Sequence, residues 1–355
     1  MSTRNDENLV LVTGASGYVA KHVIKHLLES GYRVRGSVRS LQNEAKVRPI
    51  RELQADAKHP VELVEAELLD ADSWTKAAQG CRYVIHAASP VVVADQSDEE
   101  GSYIKPAVEG TVNVLRAAKQ AGTVKRVVIT SSVNVTIGSF ETEPGRTYRE
   151  DDTPDPFTET KYAYPKSKAR AEKATLDFVR DHDVTFDVVL LRLGMTVGPF
   201  TASLPVPAMF LRDFFSDNKS PFFSYCCPVI DARDAAAAHV NAMTAGLGDV
   251  TKITLGTRAM WMGEYEAILR AEFEKQGYNI SSFGTPDLER PVFEMTRMRD
   301  LLKVEPRPIE EGALHMVYDM IESGAMHKTD KYTGHRFDDG NRKFSTVETS
   351  CFRKM

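Results

Sequence analysis

The sequence has few cysteines and no long apolar run. Its four cysteines are Cys81, the adjacent Cys226 and Cys227, and Cys351, and no two of them have C-x-x-C spacing. Adjacent cysteines are a poor geometric fit for an ordinary disulfide, so we expect reduced thiols and a cytoplasmic location. No run of about 18 apolar residues is available to span a bilayer. The polar segment Met1–Asn8 lacks the features of a signal peptide.

Charge of either sign is also not in large excess. Forty-five basic residues face 50 acidic ones, giving a net charge of −5 over 355 residues. This mild acidity gives no electrostatic reason to expect a nucleic acid or an anionic membrane as a partner. The length predicts about two domains, or one large α/β domain with a smaller lobe.

Short β-branched runs alternate with amphipathic helical patterns in the first half of the chain. Predicted strands are Leu9–Thr13, Arg33–Val38, Val61–Ala66, Tyr83–Ala88, Arg126–Ser131 and Phe186–Leu193. Predicted helices are Val19–Glu29, Ala71–Gln79, Ser102–Ala121 and Tyr164–Asp181. This alternation is typical of right-handed βαβ units and predicts an α/β fold, a Rossmann-type doubly wound parallel sheet. We expect residues 1–198 to form mainly the dinucleotide-binding domain.

The pattern weakens after Gly198-Pro199, where we expect a smaller substrate lobe over residues 199–323, with 229–256 returning to the first domain. Its aromatic stretch Phe210–Tyr225 fits either an apolar substrate pocket or the core of the lobe. Further predicted helices are Asp231–Ala245, Gly263–Gln276 and Ile309–Ser323. The segment Gly138–Thr160 is predicted to be an exposed loop, and 324–355 a loosely held polar tail.

A glycine-rich turn, Thr13–Ala20, lies between the first predicted strand and helix. Gly14 permits an unusual backbone conformation, and Gly17 lets backbone N–H groups approach a phosphate. Ala20 stands where a third glycine is usual. In its βαβ context the turn predicts that a dinucleotide binds here, with its pyrophosphate at the start of the helix.

The end of the second predicted strand distinguishes the two nicotinamide cofactors. A carboxylate there would bind the ribose 2′-hydroxyl of NAD, but the chain has Arg39 and, further on, Lys46. Arginine complements a 2′-phosphate, so we predict NADPH rather than NADH.

Two tyrosine–lysine pairs have helical i, i+4 spacing, Tyr162/Lys166 and Tyr164/Lys168. Carbonyl reduction needs a proton for the oxygen, and a nearby ammonium lowers the pKa of a tyrosine, ordinarily about 10. Spacing alone does not choose between the pairs. His22 and His26 have the same spacing, but without acidic or cysteine partners they are interpreted as surface residues, and we expect no metal.

Several segments resemble, in order, the extended short-chain dehydrogenases/reductases. They are Thr13–Ala20, His86–Pro90, Thr130–Ser132, Tyr164–Glu172 (YPKSKARAE), Leu191–Pro199 (LRLGMTVGP) and Val229–Asp234. The string Tyr32–Arg39 is most similar to the dihydroflavonol 4-reductase-like branch. The resemblance covers Leu9–Ser323 and implies an NADPH-dependent reductase.

The resemblance also implies roles for individual residues. Ser132, Tyr164 and Lys168 match the catalytic set, with Ser132 preferred to Ser131. The matching cofactor contacts are Gly14, Ser16, Gly17, Tyr18, Val19, Arg39, Lys46, Glu67, Leu68, Ala87, Ala88, Ser89, Tyr164, Lys168, Leu193 and Thr196. Leu193 departs from the proline usual beside the nicotinamide, so the backbone there lacks the fixed φ angle of a proline. No residue clearly matches the asparagine of the catalytic tetrad, and Asn113 is interpreted as a helix residue.

The resulting prediction is NADPH-dependent reduction of a ketone or aldehyde, with an apolar or aromatic substrate and Tyr164 as proton donor. One alternative is an NAD-dependent nucleotide-sugar epimerase or dehydratase, which shares the scaffold. The other is a non-catalytic cofactor-sensing protein. The family often dimerises through two long helices, which match Ser102–Ala121 and Tyr164–Asp181, so a homodimer is an expectation carried by the resemblance.

Overall fold

A computed structural model describes residues 8–53, 58–90, 100–153, 162–201, 203–216 and 225–337. Its strands are β1 (Leu9–Thr13), β2 (Arg33–Val38), β3 (Glu62–Glu65), β4 (Tyr83–His86), β5 (Arg126–Ser132), β6 (Thr147–Tyr148), β7 (Asp187–Leu193), β8 (Met195–Val197), β9 (Cys226–Asp231), β10 (Val250–Leu255), β11 (Arg258–Trp261) and β12 (Val292–Phe293). Its α-helices are α1 (Tyr18–Glu29), α2 (Glu44–Glu52), α3 (Ala71–Ala78), α4 (Lys105–Ala121), α5 (Asn134–Ile137), α6 (Ala163–Asp181), α7 (Val206–Asp213), α8 (Ala232–Ala242), α9 (Tyr265–Phe273), α10 (Thr296–Leu302) and α11 (Ile309–Glu322).

Seven parallel strands form the central sheet, in the order β3-β2-β1-β4-β5-β7-β10. The predicted doubly wound parallel sheet is therefore confirmed. The direction of strand order reverses between β1 and β4, where Thr13 pairs with His86. Because ligands of such sheets bind at the carboxyl ends of the strands beside this reversal, the glycine-rich turn lies at the expected place.

The sheet is buried on both faces because its strands are apolar on both sides. In β1, Val10 and Val12 pack in the cluster that includes the buried faces of α1 and α8. Leu9 and Leu11 pack in the opposite cluster with residues of α3, α4 and α6. Successive strand residues point to opposite faces, which explains why this run has no polar alternation.

Outside the central sheet, a smaller lobe contains a three-stranded sheet, in the order β11-β9-β8, and the helices α7, α9 and α11. Phe214 is fully buried in its core, and Phe210 and Phe215 pack against that core. These three residues of the aromatic stretch therefore belong to the core of the lobe. Phe222 and Phe223 lie outside the described residues. The domain boundaries stay a prediction, although β10 pairs with β7 in the central sheet.

Several predicted boundaries and surfaces were wrong. The helix predicted from Ser102 begins at Lys105, with proline in its first turn, after a π-helical turn at Glu100–Ile104. The loop predicted to be exposed contains the buried residues Tyr148 and Glu150, because β6 pairs with β12 and the Glu150 carboxylate accepts a hydrogen bond from Thr254 N. Helices α2, α5, α7 and α10 were not predicted.

The start of the polar tail is packed rather than loosely held. His335 Nε2 lies 3.0 Å from Asp319 Oδ1 of α11, and both side chains are buried. Met326 packs in the lobe core. Residues 338–355, including Cys351, lie outside the described part of the chain, in which Cys81, Cys226 and Cys227 are free and buried. Within the described ranges, no helix is both long and apolar enough to cross a membrane.

Candidate active site

The glycine-rich turn has the backbone geometry that a phosphate cradle requires. Gly14 has φ of +65°, and a Cβ there would lie 3.0 Å from Ala88 Cα. Gly17 precedes α1, and no side chain of the described residues caps that helix terminus. Its first backbone N–H groups are therefore available to an anion. Ala20 is buried in the core, so its methyl group is accommodated where a third glycine is usual.

A chain of hydrogen bonds fixes the ends of β1 and β4 beside this turn. Ala88 N donates to Thr13 Oγ1 at 2.9 Å, and that hydroxyl lies 2.9 Å from His86 Nδ1. Thr111 Oγ1 donates to Ala107 O at 2.8 Å and so accepts from His86 Nε2, 3.3 Å away, which leaves His86 Nδ1 to accept from Thr13. This order requires neutral His86, and burial, with the charge of Lys168, lowers its pKa to about 3. This series of hydrogen bonds holds the backbone at Ala88 against the glycine-rich turn.

The basic residues predicted for the 2′-phosphate lie beyond β2. Arg39 follows β2 and Lys46 lies in the first turn of α2, and both are exposed. The loop between them is held by Leu41 N, which donates to Glu65 Oε1 at 2.7 Å. Arg35 points away from this site, because its guanidinium donates to Ala77 O at 2.8 Å.

Glu67 and Leu68 follow β3 on the same edge of the sheet. Glu67 is exposed, whereas Leu68 contacts Gly110 of α4 so closely that a Cβ there would lie 2.6 Å from Leu68 Cδ2. Asn113 of the same helix donates to Leu68 O at 2.9 Å. Asn113 is thus a helix residue that fixes the Leu68 backbone.

Ser132 and Tyr164 meet at the carboxyl end of β5. Ser132 ends that strand, Tyr164 lies in the first turn of α6, and a hydrogen bond joins their side chains. Tyr162 instead donates to Glu141 Oε1 at 3.4 Å. Of the two tyrosines with i, i+4 lysine partners, the structure therefore places Tyr164, and not Tyr162, beside Ser132.

Lys168 lies one turn further along α6, and the net shift in the pKa of Tyr164 is upward rather than downward as the sequence analysis predicted. Its Nζ donates to Thr130 O at 3.2 Å and lies 5.9 Å from the centre of the Tyr164 ring. Burial raises the pKa of Tyr164, opposed by the hydrogen bond with Ser132. Burial also lowers the pKa of Lys168 to about 8, opposed by Glu172. At neutral pH the Tyr164 phenol is therefore protonated.

The segment after β7 crosses in front of α1. Val133 N donates to Leu193 O at 2.9 Å, and Gly194 N donates to Leu255 O at 3.0 Å. These bonds hold the backbone at Leu193, where the family usually has a proline. Thr196 is buried in β8, its hydroxyl donating to Gly194 O at 3.2 Å.

Three side chains of α1 then bind consecutive parts of this segment. Tyr18 Oη donates to Gly198 O at 3.0 Å, His22 Nε2 to Pro199 O at 2.8 Å, and Lys21 Nζ to Thr201 O at 2.5 Å. His22 is half-buried rather than a fully exposed surface residue, and burial lowers its pKa to about 4. Among the described residues no cluster of His, Cys, Asp and Glu is placed to hold a metal.

Two aromatic side chains lie near Tyr164: Phe140, which the sequence analysis did not single out, and Tyr225, the last residue of the predicted aromatic stretch. The ring of Phe140 lies parallel to Tyr164, with centroids 6.2 Å apart, and edge-on to Tyr225 at 5.7 Å. Tyr225 Oη donates to Asn134 Oδ1. Phe140 lies in the segment predicted to be an exposed loop, so the sequence pattern carried no signal for it.

An ion pair is buried beneath the site. Arg192 of β7 and Glu172 of α6 form it, and both side chains are almost completely inaccessible. Ser131 Oγ donates to the same carboxylate at 2.8 Å, so Ser131 points away from Tyr164 into this network. Arg192 also donates to Thr136 Oγ1 at 3.0 Å and to Asp152 O at 2.7 Å. The network fixes β5, α6 and the following loop relative to one another.

Comparison with known proteins is consistent with this geometry. The profile of the NAD dependent epimerase/dehydratase family matches residues 10–253. The chain belongs to this family, as the resemblance predicted.

Its relatives include reductases of the dihydroflavonol 4-reductase-like branch. The barley dihydroflavonol 4-reductase is 37% identical over 56% of this chain and 56% of its own length. Cinnamoyl-CoA reductase 2 of Arabidopsis thaliana is 30% identical over 90% of this chain and 94% of its own. The chain spans little more than half of the first of these relatives and nearly all of the second.

Solved structures with the same fold include reductases bound to NADPH. The complex of Gre2 with NADPH from Candida albicans is 26% identical, with a TM-score of 0.76 over 88% of this chain and 98% of that one. The complex of the yeast methylglyoxal/isovaleraldehyde reductase Gre2 with NADPH has a TM-score of 0.77 over 89% of this chain and 99% of that one. At 24% identity, this second similarity shows the fold alone.

Proposed function

We propose that the chain is an NADPH-dependent reductase of ketones or aldehydes. The observation that carries the proposal is the hydrogen-bonded Ser132–Tyr164 pair, which lies at the same sheet edge as the glycine-rich turn. Three features fit a phosphorylated dinucleotide. A side chain at Gly14 would crowd Ala88, the N-terminus of α1 has no side-chain cap, and the cations Arg39 and Lys46 lie beyond β2. The resemblance to NADPH-binding reductases supports the same cofactor.

The proposed binding site follows the sheet edge. Backbone groups of Gly14 and Ser16–Val19 would hold the pyrophosphate, and Arg39 and Lys46 the 2′-phosphate. Glu67 and Leu68 would lie on the adenine side. The remaining proposed contacts are Ala87, Ala88 and Ser89 beneath the diphosphate and ribose, Leu193 and Thr196 beside the nicotinamide, and Tyr164 and Lys168 at its ribose.

NADPH, when bound, supplies the hydride for the carbonyl carbon. The chain's own part is to bind the substrate carbonyl oxygen and to give it a proton. Ser132 donates a hydrogen bond to that oxygen, and Tyr164 donates the proton. The raised pKa of Tyr164 keeps it protonated at neutral pH, which is the state that reduction requires. Lys168, held at Thr130 O, places a positive charge beside the phenolate that forms.

The decisive experiment measures fluorescence on titration with NADPH and NADH, followed by cofactor oxidation across a panel of ketones and aldehydes. We expect tighter binding of NADPH and turnover of at least one carbonyl class. Protein that is purified with tightly bound NAD would favour the epimerase or dehydratase alternative. NADPH binding without oxidation by any member of the panel would favour a cofactor-sensing protein.

Arg39→Ala should selectively weaken NADPH. An arginine–phosphate bond contributes about 1.5–3 kcal/mol, so the Kd for NADPH should rise about 10- to 100-fold while that for NADH changes little. The control is Arg35→Ala, since Arg35 lies in β2, the strand that Arg39 follows, but binds α3. An unchanged ratio of the two Kd values in Arg39→Ala would contradict the assignment of the 2′-phosphate site.

The aromatic side chains beside Tyr164 support an apolar or aromatic carbonyl substrate. Phe140 packs on the Tyr164 ring, so Phe140→Ala removes an apolar surface of about 150 Å² or more next to the proposed reacting oxygen. We expect KM for an aryl ketone to rise about tenfold or more, while KM for a small aliphatic aldehyde changes less. Equal loss for both substrates would show that Phe140 has no part in substrate selection.

A further inference from the structure

Asn134 is a buried amide two residues after Ser132. Only 4% of its surface is exposed. Its backbone N–H donates to Ser132 Oγ at 3.2 Å, so the residue lies directly beside the proposed donor to the substrate carbonyl. Its Oδ1 accepts from Tyr225 Oη, but no hydrogen bond among the described residues uses its Nδ2. Because an amide N–H group in a buried residue is unfavourable without an acceptor, we expect one to bind here.

The Tyr225 hydroxyl is complementary to this donor. It gives its proton to Asn134, so its oxygen can only accept from any further group. Burial raises the pKa of Tyr225, so the hydroxyl keeps its proton at neutral pH. Cys227 also lies beside this hydroxyl, but a thiol is a weak donor. The Tyr225 oxygen is therefore a hydrogen-bond acceptor next to the Asn134 donor.

Both groups lie close to the proposed reacting atoms. Phe140 is edge-on to Tyr225 and parallel to Tyr164, and all three rings are partly exposed. Covalent geometry limits Asn134 Nδ2 to about 5 Å from its own backbone N, and therefore to about 8 Å from Ser132 Oγ. One small substrate molecule can thus reach the serine and the amide together.

We propose that Asn134 and Tyr225 bind a hydroxyl group on the carbon next to the reacting carbonyl, so that the preferred substrates are α-hydroxy ketones and aldehydes. A hydroxyl accepts from Asn134 Nδ2 and donates to Tyr225 Oη, which closes a ring of hydrogen bonds that all run in one direction. A second carbonyl group would have no proton for Tyr225. The neighbouring carbonyl oxygen, about 3 Å from the hydroxyl oxygen, accepts from Ser132. This site rests on the proposed function, which places the reacting oxygen at Ser132.

The test compares ketones that differ only by this hydroxyl group: 2-hydroxyacetophenone with acetophenone, and hydroxyacetone with acetone. NADPH oxidation gives kcat/KM for each ketone. The ratio within a pair cancels any damage that a variant does to Ser132 or to cofactor binding. Because two hydrogen bonds depend on the hydroxyl, the unmodified protein should prefer the hydroxy ketone about 10- to 100-fold.

Two variants remove the proposed partners of the hydroxyl group. Tyr225→Phe removes the acceptor but keeps the ring that packs on Phe140, so the preference should fall about three- to tenfold. Asn134→Leu removes the donor and the partner of Tyr225, so most of the preference should be lost. If Asn134→Leu does not fold, the conservative Tyr225→Phe still decides.

Tyr162→Phe is the matched control. Its ring is also edge-on to Phe140, at 5.0 Å, but its hydroxyl bonds Glu141, so the preference should equal that of the unmodified protein. If no carbonyl compound is reduced at all, the proposed function fails. If carbonyl compounds are reduced without a preference for hydroxy ketones, or if the preference survives in Tyr225→Phe, the hydroxyl-binding site is refuted.

Discussion

Replacing Tyr164 by phenylalanine should lower kcat for carbonyl reduction by about 10²- to 10⁴-fold. The variant keeps the ring that packs on Phe140 but loses the hydroxyl that bonds Ser132. The backbone that would hold the pyrophosphate is elsewhere, so we expect the Kd for NADPH to stay close to that of the unmodified protein. Steady-state kinetics and a fluorescence titration check the two halves of this expectation.

Tyr162→Phe is the matched control, since it removes a hydroxyl two residues away on the same helix terminus. That hydroxyl bonds Glu141 and not Ser132, so kcat should be nearly unchanged. Comparable losses in both variants would mean that the hydroxyl groups act through folding. Full activity in Tyr164→Phe would refute its role as proton donor.

The parallel sheet and the position of the glycine-rich turn could be predicted because both follow from local patterns. Runs such as Leu9–Thr13 and Arg33–Val38 are short and bounded by turn residues, and their predicted limits match the observed strands. The turn residues Gly14 and Gly17 are three positions apart in one short segment, so the chemistry of their backbone can be predicted from the sequence directly.

The surroundings of Tyr164 could not be predicted, since they depend on contacts between distant segments. Phe140, Asn134 and Tyr225 come together only after the loop that follows β5 folds against the start of β9. Glu150 is an acidic residue in a stretch rich in turn residues, yet it is buried, and backbone N–H groups of Thr254 and Arg297 bind its carboxyl group. Periodicity carries no information about such pairings.

The pKa of Tyr164 was mispredicted for a related reason. Helical spacing shows that Lys168 lies on the same face of α6, but it does not show which acceptor the ammonium chooses. In the structure that acceptor is Thr130 O, and burial decides the direction of the tyrosine shift. A protonated tyrosine favours carbonyl reduction at neutral pH, whereas oxidation of the alcohol would require its conjugate base and hence a higher pH.

Arg192→Met should destabilise the protein more than any surface substitution, by about 3–5 kcal/mol in the free energy of unfolding. The methionine removes the charge that Glu172 pairs with and leaves that carboxylate buried beside Ser131. The matched control is Arg258→Met, because the Arg258–Glu310 pair is about half exposed and should contribute about 1 kcal/mol or less. The midpoints of urea unfolding, followed by circular dichroism, measure both effects.

The double variant Glu172→Met/Arg192→Met separates the cost of an unpaired charge from the cost of lost hydrogen bonds. It contains no uncompensated carboxylate, so it should be more stable than Arg192→Met alone even though it differs at two buried positions. A double variant that is less stable than the single one would show that the hydrogen bonds from Arg192 to Thr136 and Asp152 matter more than the ion pair. Equal midpoints for Arg192→Met and Arg258→Met would contradict the buried network altogether.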